Sequence, residues 1–283
     1  MPYLMHIAFD NGRRLSRNVH YLEYKGVRFK LIQNNPRKWS DVLLTIIQEN
    51  HDSDAQQVAF AAAGEFLSAL SWHNSSPITL RHIGGHGIRA GFRLRQAQCR
   101  SFDFPDLPFQ GQITGYGISQ IADIRNDSQR VALTLYREAL SSNKELFSFL
   151  FYWQIIEIQN RDAVGWINKM QARRPQRLYL DARDIQRLPL GRRRLGEYLQ
   201  DDCRHAIAHI RRRPGLAPLR FDDEDEGRRL AISTRIVQEL ARHYIRTALG
   251  VGGTLHLVRP GSGGFPRYVD ETYLHQHRTR PVR

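Results

Sequence analysis

Lysine is scarce in this chain. Only Lys25, Lys30, Lys38, Lys144 and Lys169 carry an ammonium group, and the other 37 of the 42 basic residues are arginine. Cysteine is scarcer still: Cys99 and Cys203 are too few for a disulfide scaffold or a cysteine-only zinc site, and both are expected as reduced thiols. No stretch approaches the roughly 20 apolar residues that cross a bilayer. The opening MPYLMHIAFDNGRR lacks the basic start and apolar run of a secretory signal. A soluble, cytoplasmic protein is expected. Familiar catalytic signatures are missing too. There is no HExxH, and the glycine-rich pieces at 84–87 and 261–264 lack the Lys-Ser/Thr of a phosphate loop, so both read as turns.

What is present is charge of one kind. Lys+Arg total 42 against 28 Asp+Glu, a net charge of +14 and a pI near 10.3. Guanidinium forks grip phosphate bidentately and stack on bases, so a polyanion, RNA or DNA, is the partner class that charge suggests. An arginine-rich genome is the competing explanation. Hydrophobic residues at 41% suffice for a sizeable core, and the length allows two domains.

The fold class expected is α+β: a mixed α/β region over 1–120, an all-helical region over 121–253, and a basic tail over 254–283. Residues 19–33 hold two β-prone runs split by Lys25-Gly26, a hairpin pattern. Residues 40–49 (SDVLLTIIQE) suggest a short helix capped by Ser40. A firmer helical period covers 55–72. Strands are expected over 78–83 and 88–94, joined by Gly84-Gly85-His86-Gly87, and 102–117 reads as linker. Beyond it come an amphipathic helix over 128–140, capped by Asn126 or Ser128, and a long apolar helix over 144–170. That second helix should be the central buried one. An arginine-rich connection over 173–193 leads to a helix over 195–211. An acidic loop, 222–226, then precedes a last helix over 228–249.

The chemistry is sought in DDCRHAIAHIRRR, residues 201–213. Arg204 and His209 there are an Arg-x4-His pair. With 37 arginines and 12 histidines, about four or five Arg-x(4–6)-His matches arise by chance. Arg81 with His86 and Arg14 with His20 are examples, each beside expected strands. Only Arg204 and His209 fall on a predicted helix between two apolar ones, with small Ala206 and Ala208 to allow close packing. His205 and His209 share a helical face, while Arg204 lies about 140° away and must reach round with its long side chain. Cys203, His205, His209 and His243 have the residue types for zinc, but metal is the less favoured chemistry.

RHAIAH in a helical setting resembles the Rx4–6H signature of the HEPN superfamily. There the residue after the arginine is usually polar, often asparagine; here it is His205. The stretch 198–244 is also similar to the methylamine-utilisation MauJ-like group. The HEPN resemblance, over about 128–249, implies a helical bundle that dimerises, with two Arg/His pairs in one cleft cutting RNA without metal or cofactor. His209 would move the proton of a ribose 2′-OH or of the leaving 5′-oxygen, and Arg204 would hold the scissile phosphate. His205 is a second acid/base or a phosphate contact. Glu157 is a candidate for orienting Arg204 or a histidine. Arg211, Arg212 and Arg213, with Arg192, Arg193 and Arg194, are candidate grips for flanking RNA. Such domains often serve as toxins or antiviral effectors, which makes the N-terminal region a candidate for binding a regulatory partner. The alternatives are a non-catalytic RNA- or nucleotide-binding protein and a MauJ-like accessory protein of amine metabolism.

Overall fold

The computed structural model describes residues 2–12, 19–33, 41–87, 120–173, 182–208 and 223–256. The chain divides into two compact units, one of Met1–Phe66, Thr79–Ile121 and His256–Arg283, the other of Leu67–Ile78 and Ala122–Leu255. Helices together with an antiparallel sheet make the fold class α+β.

The first unit is built on strands β1 (Pro2–Asn11), β2 (Val19–Tyr24), β3 (Val27–Ile32), β4 (Asp41–Gln48) and β5 (Ile78–Gly87), in sheet order β2-β3-β4-β1-β5. β2 and β3 form the hairpin that Lys25-Gly26 suggested. Both turn residues have positive φ, 49° and 77°, the requirement of a two-residue turn matched to strand twist. β4 corrects the sequence reading, which made this segment a helix. Val42, Thr45, Ile46 and Ile47 are β-branched and pair with β1 from Ala8↔Val42 to Tyr3↔Ile47. A short apolar run does not distinguish strand from helix by period alone. β1, not anticipated, holds Leu4, Met5, Ile7 and Phe9 fully buried. β5 also runs on through Gly84-Gly85, where a turn was expected; residues 88–94 and 102–117 lie outside the described residues.

Helix α1 (Asp52–Asn74) follows β4. In the first unit its Phe66 stacks on Phe29 at 5.5 Å and meets Tyr24 edge-on at 5.8 Å. In the second, Trp72 meets Tyr136 edge-on at 4.9 Å. The remaining elements are β6 (Gln120–Ala122), α2 (Asp127–Ser141), α3 (Glu145–Glu157), α4 (Ala163–Arg173), α5 (Ala182–Gln186), α6 (Leu195–Tyr198), a π-helix (Leu199–Arg204), α7 (His205–Ala208), α8 (Glu224–Thr247) and β7 (Thr254–His256), which pairs with β6.

Asn126 caps α2, its side chain accepting the Gln129 N–H. Ser148 donates to the Ala139 carbonyl at 2.9 Å and Gln159 to Ser128 at 2.8 Å. Those contacts join opposite ends, so α2 and α3 run antiparallel. α3 packs on both α2 and α8 and buries Phe149, Tyr152, Trp153, Ile155 and Ile156, the central position its apolar sequence implied.

Two boundaries are corrected. The long helix expected over 144–170 breaks after Glu157, because Asn160 and Asp162 compete for the backbone. Asn160 Oδ1 accepts the Asp162 N–H at 3.2 Å, and Asp162 Oδ1 accepts the Gly165 N–H at 2.8 Å. The acidic segment taken for a loop is instead the start of α8. Asp223 accepts from the Asp225 and Glu226 N–H groups, and Glu224, Asp225 and Glu226 occupy the first turn, where the helix dipole favours negative charge. Among the described residues no helix is long and apolar enough to cross a membrane.

Candidate functional site

Arg204 is the last residue of the π-helix and Glu157 the last of α3. Arg204 Nη2 stands 3.9 Å from Glu157 Oε1, with the side chains 31% and 39% exposed. The same Glu157 oxygen accepts the Trp153 indole N–H at 2.6 Å. A buried indole one turn earlier on α3 therefore anchors the carboxylate, and the carboxylate faces the guanidinium. At 3.9 Å the two form an ion pair without a hydrogen bond. His205, the next residue, has Nδ1 3.8 Å from Asp201 Oδ1. Arg204 and His205, neighbours in sequence, thus face different carboxylates.

The π-helix places these residues. It closes i→i+5 bonds, the His205 N–H reaching the Gln200 carbonyl, and such wide turns occur often at functional sites. What holds it is a half-buried knot around Arg229 of α8. Arg229 pairs twice with Glu226 at 2.7 Å and donates to the Tyr198 hydroxyl at 2.7 Å, Cys203 Sγ at 3.3 Å and the Asp202 carbonyl at 3.4 Å. Three of these acceptors lie on or immediately before the π-helix. Burial pushes the Cys203 thiol up despite the Arg229 charge, and burial together with Cys203 pushes the Tyr198 phenol up to about 12. Both groups are neutral at physiological pH. Burial alone would lower the Arg229 pKa, but Glu226, Cys203 and Tyr198 outweigh it and raise it.

Two of the other arginines expected at the site have partners in the fold. Arg193 pairs with the buried Asp202 and lies over the Tyr198 ring. Arg194 pairs with Glu197 at 2.7 Å, a bond that holds the Glu197 carboxyl below its usual range. Arg192 is exposed. His209, Arg211, Arg212 and Arg213 lie outside the described residues. Of the residues with zinc-ligating side chains, Cys203 faces Arg229 and Ser233, while His243 lies 6.3 Å from the Trp166 ring. Among the described residues no three His, Cys, Asp or Glu side chains converge on one point.

Beside Glu157 the surface sinks into an open depression of about 460 Å³, lined among others by Asn160, Arg161, Asp162 and Gln200. Sequence reasoning picked Arg204 and Glu157 but missed Gln200, Asn160 and Arg229. Gln200 carries no motif. The spacing of Arg229 three after Glu226 was the one legible hint of the knot.

No curated protein and no solved structure matches the chain. Residues 132–246 match the family described as Methylamine utilization protein MauJ, a span that opens within α2, closes near the end of α8 and encloses Glu157 and Arg204.

Proposed function

We propose that the chain is a metal-independent endoribonuclease of HEPN type, its helical part a HEPN-like bundle following a mixed N-terminal region. The observation that carries this reading is the 3.9 Å approach of Arg204 to Glu157 at the rim of an open polar depression. An arginine in a loose ion pair is poised to take a phosphate instead, with bidentate geometry to match. In the proposed reaction the ribose 2′-oxygen attacks phosphorus, losing its proton, and the bond to the 5′-oxygen breaks as that oxygen gains one. His209 serves one or both transfers, and His205 assists or holds phosphate. Arg204 offsets the charge on the phosphoryl oxygens. The products are a 2′,3′-cyclic phosphate and a 5′-hydroxyl. A homodimer would set two such pairs in one cleft, and the excess of arginine supplies the attraction to RNA. We assign the protein to the cytoplasm, as a toxin or defence effector whose N-terminal region takes a regulatory partner.

The test is incubation of labelled RNA in EDTA with wild type, His209→Ala and Arg204→Ala. Wild type is expected to leave cyclic phosphate ends. His209→Ala should be slower by about 10²–10⁴-fold, and Arg204→Ala by about 10²–10³-fold. Equal cleavage by all three would assign the activity to a contaminant and sink the reading.

The match over residues 132–246 favours a second reading, an accessory protein of methylamine utilisation. Deletion that abolishes growth on methylamine, with no RNA cleavage by the pure protein, would select it.

A further inference from the structure

The depression beside Glu157 has a chemistry of its own. At about 460 Å³ it falls within the roughly 300–1,000 Å³ of small-ligand clefts. Four segments build it: the last turn of α3, the 158–162 break, the first turn of α4, and Gln200 on the π-helix. Its charges do not suit a phosphate. Glu157 and Asp162 stand against Arg161, and the amino end of α4 is already closed by Asp162, which accepts the Gly165 N–H. Nor are the carboxylates open to a cation, since Glu157 holds the Trp153 indole and faces Arg204. What the depression offers is amides. Asn160 Oδ1 is spent on the Asp162 N–H, while Asn160 Nδ2 is buried with no hydrogen-bond partner among the described residues. Gln200 brings an amide with both a donor and an acceptor.

A flat ligand presenting mixed donors and acceptors is the complement of such a lining. We propose that the depression seats an unpaired nucleobase, adenine first among the four, next to the phosphate held by Arg204. The inference rests on the ribonuclease reading for its ligand class. Gln and Asn side chains pair with the donor N6 and acceptor N7 of adenine, and single-stranded RNA splays its bases into pockets of this kind. Arg204 and Gln200 lie on the same π-helix, four residues apart, so one element would register phosphate and base together.

The Trp153 indole N–H, hydrogen-bonded to Glu157, is a built-in reporter. The full chain, labelled with ¹⁵N, is titrated with AMP, GMP, CMP, UMP and ribose 5-phosphate while that signal is followed. AMP is expected to shift it, and ribose 5-phosphate, which reaches Arg204 alone, to shift it less. Gln200→Ala, and the isosteric Gln200→Glu, should weaken AMP binding about tenfold to a hundredfold. A signal that moves equally with ribose 5-phosphate, or with none of the five, overturns the proposal. Binding does not require cleavage, so the two readings fail separately. Gln200-dependent AMP binding without RNA cleavage keeps the pocket and removes the ribonuclease. Cleavage without base-selective binding does the reverse.

Discussion

Glu157 shows how little of a residue's role lies in its type. By sequence it is one carboxylate within a long apolar helix and a candidate for orienting Arg204 or a histidine; in the fold it ends α3, fixed by the Trp153 indole on one side and facing Arg204 on the other. Gly196 makes the same point through what it lacks. A Cβ there would fall 2.6 Å from the Val164 carbonyl oxygen and 3.0 Å from Asn168 Oδ1, the atom that accepts the Gly196 N–H. Backbone cannot yield as a flexible side chain can. Gly196→Ala is expected to cost about 1–3 kcal/mol, read as a lower urea midpoint at unchanged slope. An unchanged midpoint would mean that α4 and α6 separate without cost.

At the scale of elements, the helical run over Leu195–Ala208 depends on α8. Arg229 reaches across to Tyr198, Cys203 and the Asp202 carbonyl, and this cross-link holds the wide π turn in place. Arg229→Met keeps the apolar length but removes both bonds to Glu226 and the donor to the Asp202 carbonyl. A loss of about 3 kcal/mol is expected, together with faster hydrogen exchange at Leu199–Arg204. Exchange unchanged there would show that the π turn holds itself. The start of α8 offers a milder test. Asp223→Ala removes the side chain that accepts the Asp225 and Glu226 N–H groups and should cost about 1 kcal/mol, with fraying confined to the first turn by the same exchange measurement.

For the whole molecule, alkaline pH is the condition that finds the buried acids. Burial raises the pKa of Cys203, Tyr136, Tyr152, Tyr198 and Tyr244 above the ordinary 9.0 for the thiol and 10.0 for the phenols. The folded chain therefore keeps protons that the unfolded chain releases. The stability linked to them is complete below those ordinary values and is lost as pH rises past them. For Tyr198 the window runs from 10.0 to about 12. The urea midpoint should hold steady near pH 8 and fall by about pH 11; a midpoint that rose instead would contradict the burial of these groups.

Local chemistry made several elements legible in the sequence. Lys25-Gly26 marks a hairpin because its turn needs two positive φ angles. Asn126 announces a helix start, and the apolar run of α3 implies a central helix. Only the tertiary structure decided that 41–48 is a strand, since β1 had to be present to pair with it. It alone placed Glu157 beside Arg204, 47 positions apart in sequence. It also set Gln200 beside Asn160 and Asp162 at the depression, about 40 positions away in sequence. Backbone preferences act over a few residues and can be read along the chain, whereas partners brought together across the core leave no local mark.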